Sequence, residues 1–272
     1  MELAFYKSII LGIIQGFTEF LPISSTAHLI LGTKLLNLNS NEFIKSFIII
    51  IQFASILAVI ILYWKKIWSS FEYIKKLVVA FIPTAILGLL GYKLVKTLFQ
   101  ESLSIIALAL LLGGIIIIIL ERVYKKKNGI IELNNTEKGI KKMDDIKDIS
   151  YKQCLIIGVF QALAMIPGVS RSAATIMGGL SLGISRSAIV EFSFLLAIPT
   201  MLAASSLDLL KTGFAFTTNE LIFLIIGCIT SFIVAWFSIK FLLNFVKKNN
   251  FTIFGWYRIA LGIIILAIIY VF

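Results

Sequence analysis

The sequence predicts an all-α polytopic membrane protein, with six transmembrane helices plus two re-entrant helix-loop-helix segments arranged as an inverted repeat. Three observations carry this prediction. The 272 residues are 59% hydrophobic and only 14% charged, far from the balance of a soluble globular domain. Several windows stay apolar over the roughly 20 residues that a bilayer crossing needs. One of them, "LSIIALALLLGGIIIIIL" from Leu103 to Leu120, holds no charge at all. Two further apolar regions, around 8–36 and 153–183, are broken mid-way by polar and helix-breaking residues.

Taken in order, the uninterrupted spans fall at 46–64, 77–92, 103–120, 192–207, 221–239 and 259–272. The shorter ones need flanking lysines to snorkel toward the headgroups. Before the first span the chain carries no basic region followed by a cleavage site, so it does not read as a cleavable signal peptide. A hydrophilic linker, "KKKNGIIELNNTEKGIKKMDDIKDIS" from Lys125 to Ser150, divides the chain nearly in half. One integral membrane domain therefore covers 1–272: a first repeat over about 1–124, a cytoplasmic linker over about 125–150 and a second repeat over about 151–272.

Orientation follows from the basic residues. If the linker is cytoplasmic and each broken region enters and returns on one side, the inner loops hold 18 of the 25 lysines and arginines. These include Lys65, Lys66, Lys75, Lys76, Arg186, Lys240, Lys247, Lys248 and Arg258 as solvated inner-face charges. The outer side holds Lys7, Lys34, Lys45, Lys93, Lys96 and Lys211, and Arg171 falls inside a break. That asymmetry obeys the positive-inside rule with both termini outside. It also accounts for the net charge of +11 without nucleic acid, for which no interleaved aromatic pattern is present. Cys154 and Cys228 lie in separate apolar segments and read as small buried hydrophobes.

The two breaks resemble each other. "LGIIQGFTEFLPISST" at 11–26 aligns with "IGVFQALAMIPGVSRS" at 157–172, pairing Gly12 with Gly158 and Gln15 with Gln161, then Pro22 with Pro167 after a one-residue slip. Non-helical backbone at membrane depth is tolerated only where it is buried or lines a wet cavity. Inverted repeats of broken helices place such sites near the midplane. One composite site built from both breaks is the expectation.

In the second break, "PGVSRSAAT" from Pro167 to Thr175, Pro167 and Gly168 stop one helix and the Ser-Arg-Ser run opens the next. A helix start offers unpaired N–H groups to an anion. Ser170 and Ser172 can cap it or donate to phosphate oxygens, Thr175 lies one turn further on, and the Arg171 fork matches phosphate. The plainer reading of Arg171 is an interfacial snorkelling arginine beside a kink, but an intramembrane arginine is costly and usually functional. In the first break, Gln15 and Glu19 share a helical face. Glu19 is read as a Mg²⁺ or Ca²⁺ ligand, as a proton carrier, or as a packing partner for Arg171. Ser24 and Thr26 cap or bind. Ser25 and His28, three apart, fit a nucleophile and base.

At these residues the chain resembles the undecaprenyl-diphosphate phosphatase family, also called bacitracin resistance protein. The motifs are an E/Q-x-x-x-E pattern at Gln15–Glu19, a PxSSTxH stretch at Pro22–His28, PGxSRSxxT at Pro167–Thr175, and "EFSFLLAIPTM" at 191–201. The resemblance implies hydrolysis of a C55 isoprenyl diphosphate to its monophosphate at the outer face of the bacterial plasma membrane. That reaction recycles the lipid carrier for peptidoglycan and confers bacitracin resistance. It further implies a divalent cation near Glu19 and Gln15. Glu19, Ser25, His28 and Arg171 would be catalytic, and Gln15, Ser24, Thr26, Gly168, Ser170, Ser172 and Thr175 substrate-binding. Gln15 is the neutral option at its position, so diphosphate oxygens would supply much of the metal's coordination. The expected partners are the isoprenyl diphosphate and membrane lipids, with a homodimer left open. Ser25 and a water remain alternative nucleophiles, and His28 and Glu19 alternative proton carriers. A transporter or lipid flippase with a midplane anion site is the competing class.

Overall fold

A computed structural model describes residues 4–39, 41–91, 103–134, 145–212 and 216–271. The middle of the linker and Lys93, Lys96, Tyr92 and Phe272 lie outside these residues. Among the described residues the fold is entirely helical. Four short helices form two pairs: α1 (Phe5–Thr18) with α2 (Ser25–Leu35), and α6 (Tyr151–Ala162) with α7 (Arg171–Ser181). The long helices are α3 (Glu42–Ser69), α4 (Phe71–Leu90), α5 (Leu103–Asn134), α8 (Arg186–Thr212), α9 (Thr218–Val246) and α10 (Thr252–Val271). Six are long and apolar enough to cross a membrane, in the six places where uninterrupted spans are expected. The protein is a multi-pass membrane protein.

Local chemistry sets the helix starts. Asn41 caps α3 by accepting from the Ile44 amide at 2.8 Å. Ser150 with Gln153, and Thr217 with Glu220, form reciprocal capping boxes at α6 and α9. The paired short helices stop for different reasons. At 14 and 11 residues, α1 and α2 measure about 21 and about 17 Å against a hydrocarbon core of about 30 Å. Between them residues 19–24 turn without helix. In the second pair a 3₁₀ turn, Leu163–Met165, precedes the Pro167-Gly168 break.

Both breaks end on a serine in the left-handed region, Ser24 at φ 73° and Ser170 at φ 74°. Such a conformation costs a non-glycine residue on the order of 1–2 kcal/mol, and is retained where surroundings enforce it. Each serine recovers part of that cost as an N-cap. Ser24 Oγ accepts from the Ala27 amide at 3.4 Å, and Ser170 Oγ from Ala173 at 3.3 Å.

Packing interlocks the two halves. α1 lies on α9, α6 on α4, α5 on α10, and α3 against both α8 and α9. Between apolar helices in lipid, close approach and interhelical hydrogen bonds replace the hydrophobic drive. Ser55 and Ser231 share a 2.7 Å bond between α3 and α9, and Ser238 donates to the Phe17 carbonyl on α1 at 2.8 Å. Gly12 and Gly158 permit two close crossings. A methyl on Gly12 would stand 2.8 Å from Gly227 O; one on Gly158 would run into the Ala80 carbonyl and sit 3.0 Å from Pro83 Cδ.

Two of the basic residues expected to be solvated are not. Lys76 is buried and donates to the Lys147 carbonyl at 2.7 Å, tying the end of the linker to α4. Arg258 is 0% exposed. Elsewhere helix ends are joined by ion pairs, Lys66 with Glu191 at 2.7 Å and Arg186 with Glu121 at 2.6 Å. Overpacking typically costs about 1–3 kcal/mol, so Gly158→Ala is expected to separate α6 from α4 and lower the unfolding midpoint in detergent. An unchanged midpoint would contradict the close crossing.

Candidate active site

The site grows from the end of α1. The Glu19 amide still bonds Gln15 O at 3.0 Å, so the two side chains stand one turn apart. Gln15 Nε2 donates to Glu19 Oε2 at 2.8 Å. Six residues later the chain has turned and restarted, and the Ser25 hydroxyl donates to the same oxygen at 2.8 Å. From the opposite break Arg171 Nη2 reaches Glu19 Oε1 at 3.2 Å, while its Nη1 donates to the Ser193 carbonyl at 2.8 Å. The guanidinium carbon sits 5.9 Å from the centre of the Phe20 ring. Glu19 is 6% exposed, so its charge is compensated by a cation, an amide and a hydroxyl at once. Removing one member of such a buried pair typically costs about 3–5 kcal/mol because the other is left unpaired.

These groups open on a cavity of about 170 Å³. Glu19, Ser24, Ser25 and Thr26 line it from the first break, and Pro167, Gly168, Ser170 and Arg171 from the second. The starts of α2 and α7 therefore face one space, and both bring a positive dipole end and unpaired amides suited to an anion. Residues of both breaks thus line a single cavity. Arg171 Nε and Gln15 Oε1 are buried without a hydrogen-bond partner, which leaves a donor and an acceptor unpaired beside Glu19.

Three expected residues stand elsewhere. His28 does not meet Ser25. Its Nδ1 lies 2.7 Å from the Ser24 carbonyl and its Nε2 lies 2.6 Å from the Tyr257 hydroxyl. The Ser24 carbonyl, which also takes the His28 amide at 3.3 Å, can only accept, so Nδ1 carries the proton and Nε2 accepts from Tyr257. The spacing that suggests a Ser–His pair instead places the imidazole one turn back over its own helix cap. Ser172 and Thr175, expected to face a phosphate, lie behind the cavity wall. Ser172 is 0% exposed, and Thr175 Oγ1 bonds the Arg171 carbonyl at 3.0 Å and the Ser193 hydroxyl at 2.6 Å. Thr175 thus braces the residue whose carbonyl holds Arg171.

Part of the lining was not anticipated. Gln52, Thr84, Gln161, Thr200 and Met201 also line the cavity, Met201 with its sulfur 4.0 Å from Arg171 Nη2. Gln161 Nε2 donates to Thr84 at 2.9 Å and to Thr200 at 3.0 Å. The available signal was a lone polar side chain inside an apolar span, as at Gln52 in "IIIIQFASIL". Taken together, the site has a hydroxyl on a carboxylate acceptor, a fixed guanidinium and two helix starts. That set can hold an anion, deprotonate Ser25 and stabilise charge on a transferring group.

Known proteins share this chain over almost its whole length. It is 48% identical to an undecaprenyl-diphosphatase of Persephonella marina, covering 96% of this chain and 97% of that one. An undecaprenyl-diphosphatase of Wolinella succinogenes is also 48% identical, over 96% of both chains. One of Aquifex aeolicus is 44% identical over 95% of this chain and 96% of its own. The family model for bacitracin resistance protein BacA matches residues 8–264, and the chain belongs to that family.

Proposed function

We propose that the protein hydrolyses undecaprenyl diphosphate to undecaprenyl phosphate and inorganic phosphate, the activity its relatives' names carry. The observation that carries the reading is the 2.8 Å bond from Ser25 to Glu19, beside Arg171, at two converging helix starts. The lipid diphosphate docks its charged head on Arg171 and the free amides of α2 and α7, and its tail lies among the spans or in lipid. Ser25 Oγ attacks the terminal phosphorus and passes its proton to Glu19. The P–O bond to the bridging oxygen breaks, and undecaprenyl phosphate leaves. Water then attacks the phosphoserine, Ser25 recovers a proton, and phosphate departs. Direct attack by a water held on Glu19 is the alternative. His28, bonded to Ser24 and Tyr257, is read as supporting the α2 start rather than carrying protons.

A divalent cation fits the donor set in part. Among the described residues no three His, Cys, Asp or Glu side chains gather as a metal cage. The Glu19 carboxylate and the unpartnered Gln15 Oε1 are hard oxygen donors that suit Mg²⁺ or Ca²⁺, with diphosphate oxygens as further ligands. Such an ion supplies charge neutralisation at the phosphoryl oxygens.

The architecture is read as an inverted repeat with re-entrant breaks. Supporting this, the elements pair as a two-fold exchange requires: α1 with α9 as α6 with α4, α3 with α8, and α5 with α10. Gly12 and Gly158 make equivalent close crossings, and Ser24 and Ser170 equivalent left-handed caps. With the basic loops inside, the site opens toward the outer face. Transport is not favoured, because it does not require a hydroxyl held on a carboxylate.

Purified protein in detergent with undecaprenyl diphosphate and Mg²⁺ is expected to release phosphate, and a folded preparation releasing none would overturn the activity. Glu19→Gln keeps the shape but removes the proton acceptor, and should lower turnover by about 10²–10⁴-fold. Gln15→Glu adds a second carboxylate and should reduce the divalent concentration for half-maximal activity about tenfold, since ligand charge sets affinity. An unchanged metal titration would remove Gln15 from the cation site.

A further inference from the structure

Arg258, on α10, is fully buried and has no carboxylate partner among the described residues. Its guanidinium is instead bonded to backbone. Nη1 donates to Pro22 O at 3.2 Å and to Val169 O at 3.0 Å; Nη2 donates to Gly168 O at 3.0 Å and to Ala109 O at 3.1 Å. An arginine carries two hydrogens on each of these nitrogens, so all four are used. Three of the four acceptors lie in the breaks themselves, one in the first and two in the second. Carbonyls freed where a helix stops have no partner in lipid and are costly unless satisfied internally. One planar fork answers that need for both breaks.

The consequence is geometric. Pro22 is three residues from Ser25, and Gly168 and Val169 immediately precede Ser170 and Arg171. A single rigid group therefore fixes the distance between the nucleophile's break and the anion-binding break. Room for it is made by Gly113 on α5, where a methyl would run into Nη2 and stand 2.9 Å from Cζ.

We propose that Arg258 is a positioning residue for the phosphatase reaction, holding the Ser25 and Arg171 breaks in register through their backbone carbonyls without touching the substrate. This rests on both breaks contributing to one site. It does not depend on whether Ser25 or water strikes the phosphorus.

Two variants test it, each read by unfolding midpoint and by kcat and KM separately. Arg258→Lys keeps the charge but loses the planar fork. Gly113→Ala keeps Arg258 and a good helix former on α5, but displaces the guanidinium. A misplacement of about 1 Å can cost about 10²-fold in rate. The expectation is therefore a kcat lowered by about 10²-fold in Arg258→Lys and by about tenfold in Gly113→Ala. In both, KM should stay within about threefold and a folding transition should be retained. Added guanidinium should partly restore kcat to Arg258→Ala. A folded Arg258→Lys with kcat near wild type would overturn the proposal. So would a raised KM at unchanged kcat, which would mean direct binding, or loss of the folding transition in both variants, which would confine Arg258 to folding. Ser25→Ala run alongside separates the cases: if it alone kept full turnover, the nucleophile would be reassigned while the clamp stood.

Discussion

A backbone that leaves the helix in a packed apolar interior must find partners for the polar groups it frees, and this requirement organises the molecule. Every unmatched carbonyl buried among apolar side chains costs several kcal/mol. The two breaks meet the demand in three ways: serine caps at Ser24 and Ser170, the His28 imidazole on the Ser24 carbonyl, and the Arg258 fork on Pro22, Gly168 and Val169. The broken backbone is what lets two helix starts face one cavity. The partners that make the breaks tolerable also hold Glu19, Ser25 and Arg171 around that cavity in the proposed mechanism.

Charge follows the same logic. The centre of the molecule buries two guanidiniums, Arg171 and Arg258, and one nearby carboxylate, Glu19. Arg171 is shared between that carboxylate and a carbonyl, and Arg258 is offset by carbonyl dipoles alone. The centre of the molecule therefore carries more positive than negative charge. A diphosphate head supplies the balancing negative charge, while the uncharged wall of Gln52, Thr84, Gln161 and Thr200 offers hydrogen bonds without adding repulsion. Complementarity to the ligand is built into the imbalance.

Hydropathy made the six spans legible, because a charge-free run of about 20 residues has few other destinations. Proline, glycine and clustered hydroxyls made the breaks legible for an equally local reason. Glu19 and Arg171 could be picked out because ionisable residues in such runs are expensive, and Ser25 because it sits in a polar cluster three residues before His28. What escaped depends on contacts distant in sequence. Arg258, beside Lys247 and Lys248, reads as one more inner-loop charge, and only the approach of α5 and both breaks buries it. His28 meets Tyr257, 229 residues away, so helical spacing to Ser25 was a poor guide. Ser193 and Thr175 matter through a carbonyl, which no side-chain pattern encodes.

The proposed repeat also explains how one frame yields asymmetric chemistry. In the alignment Gln15 stands opposite Gln161, and Ser24 opposite Ser170 with nearly the same φ. One residue beyond these caps stand Ser25 and Arg171. The first residue of each restarted helix is thus the proposed nucleophile in one half and the proposed phosphate-binding cation in the other. Glu19 likewise faces Met165, so the carboxylate is present once. A symmetric pair of helix starts could bind an anion without acting on it. Placing a hydroxyl with its acceptor on one side and a guanidinium on the other gives the bound phosphoryl group a direction of attack.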